Sequence, residues 1–355
     1  MSKLPVIGIS IGDLNSIAPE VVLKSLHDHR ILDYCVPVIY ASVKAINFWK
    51  KLLNLSDLQL NYIRSIDQVN HRKINLLNVW EEEVEIKPGE SSELMGNYAF
   101  LALEAACNDV LSGQLQGLVT APLNKNTVNR PDRPFSGHTE YLAERADAQS
   151  LMVLSNEDLR VALITGHIPI SEVAGKLNIE GVKQKIKLFA KALKSDFGIN
   201  HPKIGVLGLN PHAGDNGLLG KEELEILIPA IDSLSEDPGY LAMGPYPADG
   251  FFGSGQFKKF DGILAVYHDQ GLIPFKSLAF HDGVNITCGL PFVRTSPDHG
   301  TAYTIAGKNQ ANPESFRNAL FSAIDLIAQR RRSEEIGANP LPMTPLKRER
   351  FRIDF

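Results

Sequence analysis

Cysteine is scarce in this chain: Cys35, Cys107 and Cys288 are all there is among 355 residues. An odd number without paired spacing argues against a disulfide framework and fits reduced thiols in a cytosolic protein. Long hydrophobic runs are missing too, so no segment is expected to span a membrane. The opening MSKLPVIGIS has no apolar stretch ending in a small-residue cleavage site, and the expected location is the cytoplasm. Positive charge is not in excess. A formal net charge of -5 gives no reason to expect nucleic acid or a membrane surface as partner. The lysines of residues 181–197 read as a solvated helix face. No internal repeat and no low-complexity linker interrupts the chain. Neither G-x-G-x-x-G nor H-E-x-x-H occurs, which removes the ordinary dinucleotide fingerprint and the compact zinc motif.

What is present is ordinary for a globular protein: 44% hydrophobic and 22% charged residues. Short β-branched runs alternate with longer helix-period segments. The pattern predicts strands at 6–10, 36–40, 74–79, 117–120, 161–165, 204–209, 262–266 and 284–287. Helices are predicted at 19–29, 43–55, 97–111, 182–197, 221–233 and 313–330. Pro19 and Pro313 suit first-turn positions, and Glu20 and Glu314 suit the positive end of the helix dipole. This alternation specifies the α/β class, a mostly parallel sheet flanked by helices, with ligands expected beyond the carboxyl ends of the strands. The tail from Arg330 onward is polar and proline-containing, and is expected to lie along the surface or to be partly disordered.

Three apolar runs end alike. VALITGHIPI closes on His167, IGVLGLNPHAGDNG on His212 and GILAVYHDQG on His268. One histidine at a strand end most simply hydrogen-bonds a carbonyl. Three of them, each beside Gly or Pro and two near Asp, favour a site, because neutral imidazole binds divalent ions and three protein ligands leave room for a substrate oxygen. In FSGHTEYLAER, His138 and Thr139 follow a glycine at a helix start. Thr139 reads as an N-cap supported by Glu140, though the same backbone amides would also seat a phosphate. Lys276, Asn285 and Arg294 follow the His268 segment. They suit an anionic ligand if they line a cleft and are plain surface charge if they do not. Residues 296–316 form a polar, glycine-containing loop that opens the last helix.

Read together, these segments resemble the 4-hydroxythreonine-4-phosphate dehydrogenase family. The matching pieces run in order from ISIGDLNSIAPEVVLKSL through VTAPLNKNTV, FSGHTEYLAER, ITGHIPI, LNPHAGDNGLLGKEE, GPYPADGFF and YHDQGLIPFK to VNITCGLPFVRTSPDHGTAYTIAGK, nearly the whole chain. The last piece is also similar to the adenosine-binding loop of isopropylmalate and isocitrate dehydrogenases. The resemblance implies their two-domain fold, divided here at about 1–125 plus 285–355 and 126–284, with the active-site cleft between. It implies NAD or NADP bound without a glycine fingerprint, with Asp298, His299, Gly300, Thr301 and Ala302 bordering the adenosine half. It further implies that His167, His212 and His268 bind one divalent ion (zinc, magnesium, cobalt or manganese) shared across a homodimer interface. His138, Thr139, Lys276, Asn285 and Arg294 would contact a phosphorylated substrate, with Lys276 as the base and Asp269 orienting a metal ligand.

The implied reaction is oxidation of 4-phosphooxy-L-threonine with loss of carbon dioxide, in pyridoxal phosphate biosynthesis. Alternatives are a paralogue for threonate 4-phosphate or a dihydrodiol, and a non-catalytic binding relative. One departure stands out. The family's first loop usually reads close to GDPAGIGPE, whereas here Ser16 and Ala18 replace two glycines. If either position required a positive φ, strain of about 1 kcal/mol or more would follow, and added atoms would crowd the cofactor.

Overall fold

The pentapeptide Val6–Ser10 is buried along its full length and forms β1, the strand about which one end of the sheet is built. A computed structural model describes residues 4–279 and 282–338. In chain order the other strands are β2 (Val36–Ala41), β3 (Asn61–Ile63), β4 (Asn75–Asn78), β5 (Gly117–Thr120), β6 (Leu151–Ser155), β7 (Arg160–Leu163), β8 (Lys203–Leu207), β9 (Leu241–Tyr246), β10 (Gly262–Ala265), β11 (Val284–Cys288) and β12 (Val293–Pro297). They make one 12-stranded sheet in the order β3-β4-β2-β1-β5-β12-β11-β6-β7-β10-β8-β9.

Pairing is parallel from β3 to β12 and again from β7 to β9. Between those blocks β11 runs antiparallel to both β12 and β6, and β6 antiparallel to β7. The two parallel blocks therefore point in opposite directions. This corrects the expectation of a single carboxyl edge: the strand ends of one block lie at the opposite edge from those of the other. Every predicted strand is present within a few residues. The strands β3, β6, β9 and β12 were not anticipated.

The helices are α1 (Ala18–Leu26), α2 (Val43–Leu52), α3 (Glu93–Leu111), α4 (Lys125–Val128), α5 (His138–Arg145), α6 (Val173–Lys176), α7 (Ile179–Ser195), α8 (Ile228–Asp232), α9 (Ala248–Gly253), α10 (His268–Leu278) and α11 (Glu314–Ala338). Local chemistry explains several boundaries. The Ser42 hydroxyl accepts from the Ala45 amide to cap α2, and Asn178 Oδ1 accepts from the Gly181 amide to cap α7. The helix predicted at 221–233 is instead a π-turn, Glu223–Leu227, leading into α8. Pro229 explains this: it lacks an N–H and its ring clashes with the carbonyl four residues back.

The segment after β10, where no helix was expected, is α10 and begins at His268 itself. The start of the tail also departs from expectation, because α11 continues to Ala338; the remainder lies outside the described residues. Among the described residues no helix is long and apolar enough to cross a membrane. All three cysteines are buried and free.

Candidate active site

The floor of the site is the face of the central strands rather than their ends. Side chains alternate along a strand, so Arg294 and Ser296 of β12 share one face, as do Asn285 and Thr287 of β11 and Met152 and Leu154 of β6. The register sets Asn285 opposite Ser296 on one side and Leu154 on the other, with Thr287 opposite Met152. Over this floor lies a cavity of about 330 Å³, walled by the segment after β5, the start of α5, the start of α10 and residues 297–300.

It gathers His138, Thr139, His167, His268, Lys276, Asn285, Arg294, Asp298, His299 and Gly300, which the sequence had placed up to 162 positions apart by pattern alone. His212 is not among its lining residues. Asp269 lies beside it, its carboxylate 2.7 Å from His268 Nδ1. Thr301 and Ala302 continue the rim. The Thr301 carbonyl accepts from the Ile17 amide at 3.1 Å, and Ala302 takes a left-handed conformation that starts a short 3₁₀ turn.

Arg294 is the most enclosed charged residue lining the cavity, 2% exposed. Its Nη1 donates to Thr287 Oγ1 at 2.9 Å and its Nη2 to Thr120 Oγ1 at 2.6 Å. Burial pulls the guanidinium down to about 10 from the usual 12.5, with Glu140 opposing. Its Nε, His138 Nε2, Asn285 Oδ1 and His299 Nε2 are buried without a protein partner. Four orphaned polar atoms around one cavity are what a polar, anionic ligand requires, since such groups are otherwise satisfied. Burial first, then Arg294 and Lys125, hold the His138 imidazole well below its ordinary pKa. Lys276 ion-pairs with Asp298 at 3.2 Å, and burial of Asp298 raises its carboxyl against the pull of that lysine.

His167 and His268 follow the ends of adjacent parallel strands, β7 and β10, and their ring centroids are 5.3 Å apart. Burial, Lys125 and His268 lower the His167 pKa, favouring the neutral imidazole that binds metal. The Asp269 contact fixes His268 with its proton on Nδ1 and leaves Nε2 as the donor lone pair. Two imidazoles of one chain thus fit a divalent ion. Among the described residues no group of three or more His, Cys, Asp or Glu side chains could hold one. His212 follows β8, one strand further out. It sits in a run, His212 to Asn216, with φ between 43° and 83°, and its side chain is exposed.

The first loop removes the concern that Ser16 and Ala18 strain the backbone. Neither has a positive φ among the described residues. Ser16 Oγ donates to the Asp13 carbonyl at 2.7 Å and accepts from the Ala18 amide at 3.0 Å, so the extra hydroxyl closes the turn that starts α1. Trp49 Nε1 anchors the same loop on the Leu14 carbonyl. Sequence reasoning missed Asp13 and the contact Tyr303 makes with it. The Tyr303 hydroxyl donates to the fully buried Asp13 carboxylate at 2.6 Å and ties this loop to the segment expected to border the cofactor. It also missed Lys125, Glu140 and Thr120 as members of the cavity wall. The signal for Lys125 was the polar end of VTAPLNK after β5.

Comparison with known proteins accords with this geometry. The profile described as "Pyridoxal phosphate biosynthetic protein PdxA" matches residues 33–323. A curated 4-hydroxythreonine-4-phosphate dehydrogenase of Bacteroides thetaiotaomicron is 47% identical over 94% of this chain and 92% of its own length. A putative D-threonate 4-phosphate dehydrogenase of Oceanobacillus iheyensis is 38% identical over 92% of this chain and 99% of its own. Among solved structures, the 4-hydroxythreonine-4-phosphate dehydrogenase of Klebsiella pneumoniae superposes with a TM-score of 0.77 at 33% identity, covering 91% of this chain and 99% of that one.

Proposed function

The chain belongs to the PdxA family, and on that premise we propose that it oxidises 4-phosphooxy-L-threonine with loss of carbon dioxide, in pyridoxal 5'-phosphate biosynthesis. The observation that carries the reading is the cavity itself. A buried arginine, a lysine, an imidazole with an orphaned Nε2 and two facing histidines line one space beside residues 298–300. NAD or NADP would supply the hydride acceptor, and a divalent ion (zinc, magnesium, cobalt or manganese) a Lewis acid for the hydroxyl oxygen and the developing enolate.

The protein's own contribution is placement and charge. Arg294, His138, Thr139 and Asn285 bind the anionic groups of the substrate, and binding energy there serves orientation of the reacting carbon. Lys276 is assigned as the base: once it has passed its own proton to the Asp298 carboxylate 3.2 Å away, its free amine takes the hydroxyl proton. Asp298, His299, Gly300, Thr301 and Ala302 border the adenosine half of the cofactor, and the orphaned His299 Nε2 supports that placement. His167 and His268 hold the ion, and Asp269 orients the latter.

The third ligand is His212 of a second copy, which makes the working unit a homodimer with the ion shared between subunits. Exposed apolar side chains beside each histidine support this: Ile170 is 76% exposed, Leu218 78% and Ile273 63%. The chain divides at about residues 125 and 285 into two lobes, with β11 and β12 at their junction. A cytoplasmic location completes the reading.

The test is NADH formation from 4-phosphooxy-L-threonine by purified protein, with and without chelator, in wild type and His212→Ala, with D-threonate 4-phosphate as competing substrate. Activity indifferent to chelator and to His212→Ala removes the ion from the scheme. Turnover of D-threonate 4-phosphate alone replaces the substrate.

A further inference from the structure

Helix α5 opens at Gly137 with no side-chain cap, so the N–H groups of His138, Thr139 and Glu140 have no acceptor among the described residues. That helix end faces the cavity. Lys125, at the start of α4, enters the same space. Of the three Lys and Arg side chains in the lining, Lys276 pairs with Asp298 and Arg294 is clamped by two threonines. Lys125 alone has no hydrogen bond and no ion pair among the described residues.

The residue is exposed, and its ammonium lies over the helix end. A Cβ built on Gly137 would lie 3.1 Å from Lys125 Nζ and 2.7 Å from Glu140 Oε2, so both charged tips occupy the space directly above the Gly137 backbone. The absence of a side chain at residue 137 is what lets the ammonium reach the helix end.

We propose that Lys125 is a substrate-binding residue whose ammonium joins the free N–H groups at the start of α5 to hold the phosphomonoester dianion of the substrate. The N-terminal amides offer oriented donors and a favourable dipole, but Glu140 on the same rim carries the opposite charge. Without Lys125 that carboxylate would face the dianion unopposed. With it, the rim is neutral and supplies a charge-assisted bond. The identity of the substrate rests on the reading given under Proposed function; the anion seat itself does not.

The experiment therefore begins with inorganic phosphate alone, titrated into wild type, Lys125→Met, Lys125→Arg and Gly137→Ala and followed by phosphorus NMR line broadening. Loss of one charged hydrogen bond predicts a fall in phosphate affinity of about 10- to 100-fold in Lys125→Met. Lys125→Arg stays within about threefold, because it keeps the charge and donors. Gly137→Ala falls between, because its new methyl displaces the lysine tip. In turnover assays the Met variant raises KM for the phosphorylated substrate by a similar factor, with kcat and KM for NAD little changed. A merely structural lysine would not separate these quantities. Phosphate affinity in Lys125→Met equal to wild type, or a loss that Lys125→Arg does not restore, overturns the assignment. If wild type binds phosphate yet forms no NADH from 4-phosphooxy-L-threonine, the reaction falls and the titration still decides Lys125.

Discussion

Replacing Arg294 by methionine is expected to stabilise the free protein while abolishing its response to phosphate. The guanidinium is 2% exposed and lacks a carboxylate within ion-pair distance among the described residues. Its depression from 12.5 to about 10 corresponds to roughly 3 kcal/mol against the charged folded state, since each tenfold change is about 1.4 kcal/mol. The bonds to Thr287 and Thr120 return about 1 kcal/mol each. Methionine fills most of the volume, so the free Arg294→Met protein should gain about 1 kcal/mol, a rise in Tm of about 1–3 °C. Phosphate at about 100 times its Kd stabilises wild type by about 2.7 kcal/mol and should leave the variant unmoved. Thermal melts with and without phosphate read both effects, which have opposite signs. An Arg294→Met protein that melts several degrees lower, or still shifts with phosphate, refutes the view that this arginine is buried for a ligand.

Three further expectations follow from single contacts. Asp269→Asn removes the carboxylate that orients His268, and calorimetric titration with cobalt or zinc should show affinity reduced by about 10- to 100-fold; wild-type affinity would count against the pairing. Tyr303→Phe leaves the buried Asp13 carboxylate without its 2.6 Å donor, so KM for NAD should rise about tenfold with kcat nearly constant; an unchanged KM would separate this clasp from the cofactor. Burial, Arg294 and Lys125 keep His138 below 6.5 when folded, so the unfolded chain binds more protons in mildly acidic solution. Stability should then fall as pH drops below about 6.5, and His138→Gln should flatten that limb in melts between about pH 5 and 7; equal slopes would refute it.

How much of this was legible depended on what each segment faces. Strands β1 and β5 are buried on both sides and read as continuous apolar runs, so their bounds were correct to the residue. β12 was missed because its inner face lines the cavity, which places Arg294 and Ser296 where a core strand would carry aliphatic residues. α10 was missed for a related reason. It begins on His268 itself with no intervening loop and contains Gly271 and Pro274, both poor helix formers. Gly271 is required there, because a Cβ would come within 2.8–2.9 Å of Val161 and Ala265 on the strands beneath. Tertiary packing overrode propensity at the same positions where chemistry overrode hydrophobic pattern.

The histidines mark the limit of single-chain reasoning. A strand-end imidazole looks the same in sequence whether it completes a site in its own subunit or in another. On the proposed reading the difference lies in backbone conformation after each strand. His268 starts a regular helix that turns it toward His167, whereas His212 begins a left-handed run that no apolar or polar pattern announces. Non-glycine residues in that conformation cost about 1 kcal/mol or more each. The run is held by Glu223, buried at its base, which accepts from the Asn210 amide at 2.7 Å and from Asn210 Nδ2 at 2.9 Å. Strain kept by a dedicated buried carboxylate marks a conformation with a purpose. That purpose is met if an exposed His212 reaches outward, since folding it back onto β8 would have needed none of it.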